Sequence, residues 1–107
     1  MGLEMDSSFV YMWEFKVKPD SVDKFMKLYG PDGEWVQLFS NAEGYIRTEL
    51  HRDVHQPLRF VTVDYWESKT HLRSFRTDFA DKFDEIDKMG EALTESESRI
   101  GEFSFIS

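Results

Sequence analysis

At 107 residues, with 40 % hydrophobic and 16 % aromatic content, the chain has the length of one domain and enough rings for a packed core, which excludes disorder. A net charge of −8 leaves no basic face to neutralise phosphates, so nucleic acid and anionic membranes are excluded as partners. With no cysteine, disulfides, thiolate metal sites, iron–sulfur clusters and a cysteine nucleophile are excluded too.

Residues 1–8 carry no basic-then-apolar leader and read as a flexible segment ahead of a single domain over 9–107. No apolar run is long enough to span a membrane, and a cytoplasmic location is expected. Phe9 to Val17, rich in aromatic and β-branched residues, reads as a first strand. Pro19-Asp20-Ser21 ends it and caps a helix carrying Val22, Phe25, Met26, Leu28 and Tyr29. Gly30-Pro31-Asp32-Gly33 breaks that helix, and Trp35, Val36, Leu38 and Phe39 resume a helical face. Tyr45 to His51 reads as a second strand, a loop runs through Arg52 to Pro57, and Leu58 to Trp66 reads as a third strand.

Ser68 is the expected cap of a long amphipathic helix, with Leu72, Phe75, Phe79, Phe83, Ile86 and Leu93 along one stripe. The opposite face, including Asp84, Asp87 and Lys88, reads as solvated. Thr94-Glu95-Ser96-Glu97 matches a capping box and predicts one more helical turn, followed by a short strand from Arg99 to Ile106. The order is strand–helix–strand–strand–helix–strand, the ferredoxin-like βαββαβ arrangement of an α+β domain with a four-stranded antiparallel sheet. Helices cover one face of such a sheet. Val10, Met12, Val61, Val63 and Tyr65 make the other face apolar as well, so a homodimer with sheets packed face to face is expected.

Alternation along the third strand puts Thr62, Asp64 and Trp66 on one side. If that side faces the helices, Asp64 is the candidate general base and Trp66 an aromatic wall against a flat substrate. The alternative is that Trp66 is core and Asp64 a structural hydrogen-bonding group. His71, in the first turn of the long helix, is an acid or base at a pocket mouth or else a surface residue. Glu14, in mid-strand, either lines a cavity or pairs across the sheet with Arg47 or Arg99. His51 and His55 with Asp53 have metal-like spacing, but they lie where a strand–strand loop is expected, so helical i, i+4 logic does not apply; a site needs three or more convergent ligands, and no metal site is expected.

The strand Tyr11-Met-Trp-Glu-Phe-Lys-Val-Lys-Pro19, the Glu43-Gly-Tyr45 turn and Trp66-Glu-Ser68 together resemble the antibiotic biosynthesis monooxygenase family from about Phe9 to Phe105. The resemblance implies a dimeric α/β barrel of two ferredoxin-like subunits, each with a pocket between sheet and helices. Against the polyketide-tailoring oxygenases of that family, Trp66 is kept. Thr62 stands where they have an asparagine and Leu72 where they have a tyrosine. Against the heme-degrading members, Trp13 and Phe75 replace an asparagine and a tryptophan, and Glu85 or its neighbour replaces the histidine, so heme has no axial ligand. The quinol-oxidising members share Trp66-Glu-Ser-x-x-His71-Leu72, but residues 73–90 lack their downstream histidine. The resemblance thus implies a monooxygenase without cofactor acting on a small quinol- or phenol-type molecule. Asp64, His71 and Trp66 are its candidate catalytic residues, and Trp13, Thr62, Leu72, Phe75 and Glu14 line its substrate site. A non-catalytic dimer binding a small hydrophobic ligand, or a proton-transfer isomerase, are the other readings of one base in an apolar pocket.

Overall fold

A computed structural model describes residues 9–106; the segment expected to be flexible, residues 1–8, lies outside the described residues. The strands are β1 (Phe9–Val17), β2 (Tyr45–Arg52), β3 (Arg59–Trp66) and β4 (Thr94–Ser104). They form one four-stranded sheet in the order β2-β3-β1-β4, with every neighbouring pair antiparallel. Helices α1 (Val22–Tyr29) and α2 (Glu34–Phe39) connect β1 to β2, and α3 (Lys69–Asp78) and α4 (Ala80–Glu91) connect β3 to β4. This is the ferredoxin-like arrangement expected from the order of elements.

The register explains why one face of the sheet holds the core. Phe15 lies opposite Phe60, Trp13 opposite Thr62, Tyr11 opposite Asp64 and Phe9 opposite Trp66. Against this face pack Phe25 of α1, Phe39 of α2 and Phe75 of α3, all buried. At about 25 cal/mol per Å² of apolar area removed from water, rings of this size dominate the stabilisation. The opposite face presents Val10, Met12, Val61, Val63 and Tyr65, and beside them Phe103 on β4 is 47 % exposed.

Two local expectations are corrected. The long helix is two helices, because Phe79 leaves helical geometry (φ −117°, ψ 27°) and serves as the last cap of α3 and the first of α4. The apolar stripe runs straight through this bend. Phe79 N–H still donates to Phe75 O at 2.9 Å, and Phe83 N–H to Phe79 O at 2.9 Å, so neither pattern nor hydrogen bonding marks the break. Second, Thr94–Glu97 is not a helical turn but the start of β4, with Glu97 opposite Phe15 and Thr94 opposite Val17. The edge of β1 offers this segment a ladder of backbone partners, which outweighs a local cap of about 1 kcal/mol.

Candidate functional site

A cavity of about 180 Å³ lies between the inner face of the sheet and the helices. Its floor crosses all four strands, from Thr48 on β2, through Asp64 and Thr62 on β3 and Tyr11, Trp13 and Phe15 on β1, to Glu97 on β4. Its roof is Tyr29 of α1, Trp35 and Phe39 of α2, Arg76 of α3, and Phe83 and Asp87 of α4. An apolar cavity of about 150 Å³ takes up benzene, so this space suits a molecule of one or two rings. Gly90 of α4 helps to close one end. A Cβ there would stand 2.2 Å from the Tyr29 hydroxyl, and its absence lets that ring reach the helix.

Asp64 is 7 % exposed. Burial pushes its carboxyl from the ordinary 3.8 up to about 7, against the opposing pull of a hydrogen bond from Thr48. Thr48 Oγ1 donates to Asp64 Oδ1 at 2.6 Å, and with its proton so committed it accepts from Tyr45 Oη at 2.9 Å. Among the described residues Oδ2 of Asp64 takes no side-chain hydrogen bond. The carboxyl is thus held from one side by a Tyr45–Thr48 chain, in a cavity walled by rings. Burial first, and then the Asp64 charge, raise the Tyr45 phenol above its ordinary range against the pull of Thr48.

Thr48 and Tyr45 were not legible as site residues. A bulge at Ile46 places Tyr45 opposite Trp66 and Arg47 opposite Tyr65, so the simple alternation that would align Tyr45 with Arg47 is reset. Thr48 then falls opposite Asp64. Asp87, expected on a solvated face, instead lines the cavity with Glu97. Carboxylate oxygens of Asp87, Glu91 and Glu97 all lie within 4.8 Å of one another. Burial and then the neighbouring carboxylates raise Asp87 and Glu97, and burial above all raises the Tyr29 phenol beside them.

The other candidates are dispersed. Trp13 and Thr62 line the cavity with Asp64. Trp66 does not. It is wholly buried, with its ring centroid 5.8 Å from Phe39, 5.4 Å from Tyr45 and 5.4 Å from Phe75. The aromatic wall expected of it is supplied by Trp13 and Trp35. Leu72 and Phe75 are buried in the same core rather than at the cavity surface.

His71 also lies outside the cavity. Its backbone N–H donates to Ser68 Oγ at 3.2 Å, its Nδ1 lies 2.7 Å from the same hydroxyl, and its ring fills the space above Gly44. It completes a helix cap in the position a capping box gives to Glu or Gln. Glu14 sits on the outer face and pairs with Arg59, not with Arg47 or Arg99. Asp53 accepts from the backbone N–H of His55 and Gln56 and pairs with Arg59 at 2.9 Å, while His51 pairs with Glu49 at 3.1 Å. Of the groups with metal-like spacing, Asp53 is thus engaged by a turn and by Arg59, and His51 by Glu49.

A family model described as antibiotic biosynthesis monooxygenase matches residues 8–85. Among solved structures, the chain is similar to SnoaB, a cofactor-independent oxygenase from Streptomyces nogalater, with 15 % identity, a TM-score of 0.74 and coverage of 94 % of this chain and 92 % of that one. It is also similar to a candidate antibiotic biosynthesis monooxygenase from Bordetella bronchiseptica (20 % identity, TM-score 0.73, coverage 94 % and 99 %). A conserved protein from Methanosarcina mazei Go1 matches with 18 % identity, a TM-score of 0.66 and coverage of 92 % and 90 %. At such identities these structures speak for the fold. No curated protein sequence matches the chain. Among the described residues no helix is long and apolar enough to cross a membrane. With nearly three-quarters of its length matched by the family model, the chain belongs to the antibiotic biosynthesis monooxygenase family.

Proposed function

We propose that the protein is a cofactor-independent monooxygenase acting on a small quinol- or phenol-type molecule, working as a homodimer. The observation that carries this reading is Asp64, a carboxyl buried in an aromatic-lined cavity and poised near neutrality. A base is most effective when its pKa lies near the working pH. Asp64 takes the phenolic proton, and the resulting electron-rich ring reacts with dioxygen. One oxygen atom enters the substrate, the other leaves as water, and the substrate supplies all four electrons. Trp13 and Trp35 hold the flat ring, Thr48 fixes the base through Oδ1, and the rings exclude water. Membership of the family and likeness in fold to a cofactor-independent oxygenase support the same reading. The dimer is supported by the apolar outer face of the sheet, where Phe103 is 47 % exposed.

Oxygen uptake with a panel of hydroquinones and anthrones tests the activity. Uptake above the protein-free rate is expected, with kcat/KM rising with pH through about 7 as Asp64 loses its proton. Uptake no faster than in buffer alone, across the panel, sinks the oxygenase reading. Ligand binding without uptake would instead favour a binding protein.

A further inference from the structure

Most of the cavity wall is buried ring and strand, but one part of it is a single long side chain. Among the described residues that line the cavity, Arg76 alone is exposed. On its outer side Arg76 also lines a surface groove, with Arg73, Thr77, Ala80, Phe83 and Asp84. Cavity and groove have Arg76 and Phe83 in common and no other residue. Between them stands this pair, with the Arg76 guanidinium 4.4 Å over the Phe83 ring.

The two members are held very differently. Phe83 is wedged from behind, edge-on to Trp35 at 5.0 Å and to Phe75 at 6.2 Å between centroids. Arg76 forms no ion pair among the described residues. It is kept down by the face of Phe83 and by the field of Asp87 on the cavity side. Burial and neighbouring carboxylates raise Asp87, and the Arg76 charge opposes them. A guanidinium over a ring is a weak contact at an exposed site, and exposed side chains change rotamer within nanoseconds. The pair also spans the joint of the roof. Arg76 is in the last turn of α3 and Phe83 in the first turn of α4, on either side of the bend at Phe79.

We propose that Arg76 is the gate of the cavity. Lifted from Phe83, its side chain opens a passage from the groove between α3 and α4; laid back, it closes the cavity over its occupant. The passage serves any occupant, so the inference does not rest on the oxygenase reading.

A gate has a signature that a ligand-holding group lacks. It changes entry and exit together and leaves affinity alone, whereas a holding group changes exit and affinity. The first probe is acrylamide, a neutral molecule smaller than a benzene ring, which quenches tryptophan on collision. Trp13 and Trp35 line the cavity, so fluorescence lifetimes report how often acrylamide gets in. In Arg76→Ala the collision rate should rise about two- to fivefold, the factor by which such a contact holds the closed state. Arg73→Ala, which removes a charge from the groove but no part of the partition, should leave it unchanged. The second probe is 4-fluorophenol, whose exchange is read by fluorine NMR. Its entry and exit rates should rise by the same factor in Arg76→Ala, with its dissociation constant unchanged.

An acrylamide collision rate unchanged in Arg76→Ala places the entrance elsewhere and overturns the proposal. An equal rise in Arg73→Ala overturns it too, because the effect would then belong to the groove charge. So does a loss of 4-fluorophenol affinity at an unchanged entry rate, which makes Arg76 a group that holds the ligand. Every reading is taken without turnover, so failure of the oxygenase reading in the uptake assay leaves the gate standing, and failure of the gate leaves that reading untouched.

Discussion

Asp64 is 7 % exposed, with Thr48 Oγ1 2.6 Å from Oδ1, and burial lifts its pKa from 3.8 to about 7. In the unfolded chain the carboxyl ionises near 3.8, while the folded protein retains the proton until about 7. Across that window the unfolded state binds fewer protons, so the Asp64 contribution to stability falls as pH rises and levels off above the folded pKa. The interval between 3.8 and about 7 corresponds to about 4 kcal/mol at 1.36 kcal/mol per pH unit. Asp64→Asn keeps the shape and an oxygen for Thr48 but carries no titrating group. Urea unfolding of both proteins at fixed concentration, from pH 4 to pH 8, should show the variant gaining on the parent as pH rises. At pH 8 the gain should reach about 4 kcal/mol, or about 15 °C in Tm. Asp87 and Glu97 titrate upward as well, but they are common to both proteins and cancel in the difference. Oxygen uptake should fall about 100-fold or more in the same variant, as for loss of a general base. A stability difference that does not change with pH, or an Asn variant less stable at pH 8, would refute a buried, destabilising base.

Four further outcomes are expected. Trp66→Phe should cost about 1–2 kcal/mol of stability, because the ring is wholly buried among Phe39, Tyr45 and Phe75, but should change ligand affinity less than twofold. Trp13→Ala should do the opposite, weakening a phenol about tenfold with a smaller loss of stability; a reversed pattern would return the substrate wall to Trp66. Gly44→Ala should destabilise by about 1–3 kcal/mol, since φ is +89° and the new Cβ would lie 2.3 Å from His71 Cγ. Adding His71→Ala should recover the steric part of that loss in a double-mutant cycle, and strict additivity would show that the contact is unimportant. Light scattering should give about twice the 12.7 kDa of one chain, and Phe103→Glu should shift it toward monomer; a parent already at the mass of one chain sinks the dimer.

The fold was legible because its signals are periodic. Along strands β1 and β3 successive side chains take opposite faces without interruption, and the register of Tyr11 with Asp64 and Trp13 with Thr62 keeps that period of two intact. The inward position of Asp64 was legible for the same reason. Features that reset a period were not legible. The bulge at Ile46 re-phases β2 and turns Thr48 inward, and the bend at Phe79 preserves the stripe while ending the helix. Glu97 was misplaced because a local cap pattern was weighed without the β1 edge that captures it, and Asp87 because an acid on a charged helix face resembles a solvated one.

The same distinction explains why Trp66 drew attention away from the cavity. Period two tells which face a strand residue takes, but not where along the strand the helices leave room. At Trp66, the end of β3, the rings of Phe39, Tyr45 and Phe75 close over the sheet. At Asp64 and Thr62, two and four residues back, they do not, and a cavity is left. A carboxyl placed two residues from a sealed indole is buried enough to have its pKa raised to about 7, yet it lines the cavity. Burial raises its pKa, and the void sets it beside a space of about 180 Å³. The candidate base thus derives from the position of the void rather than from the Trp-Glu-Ser junction.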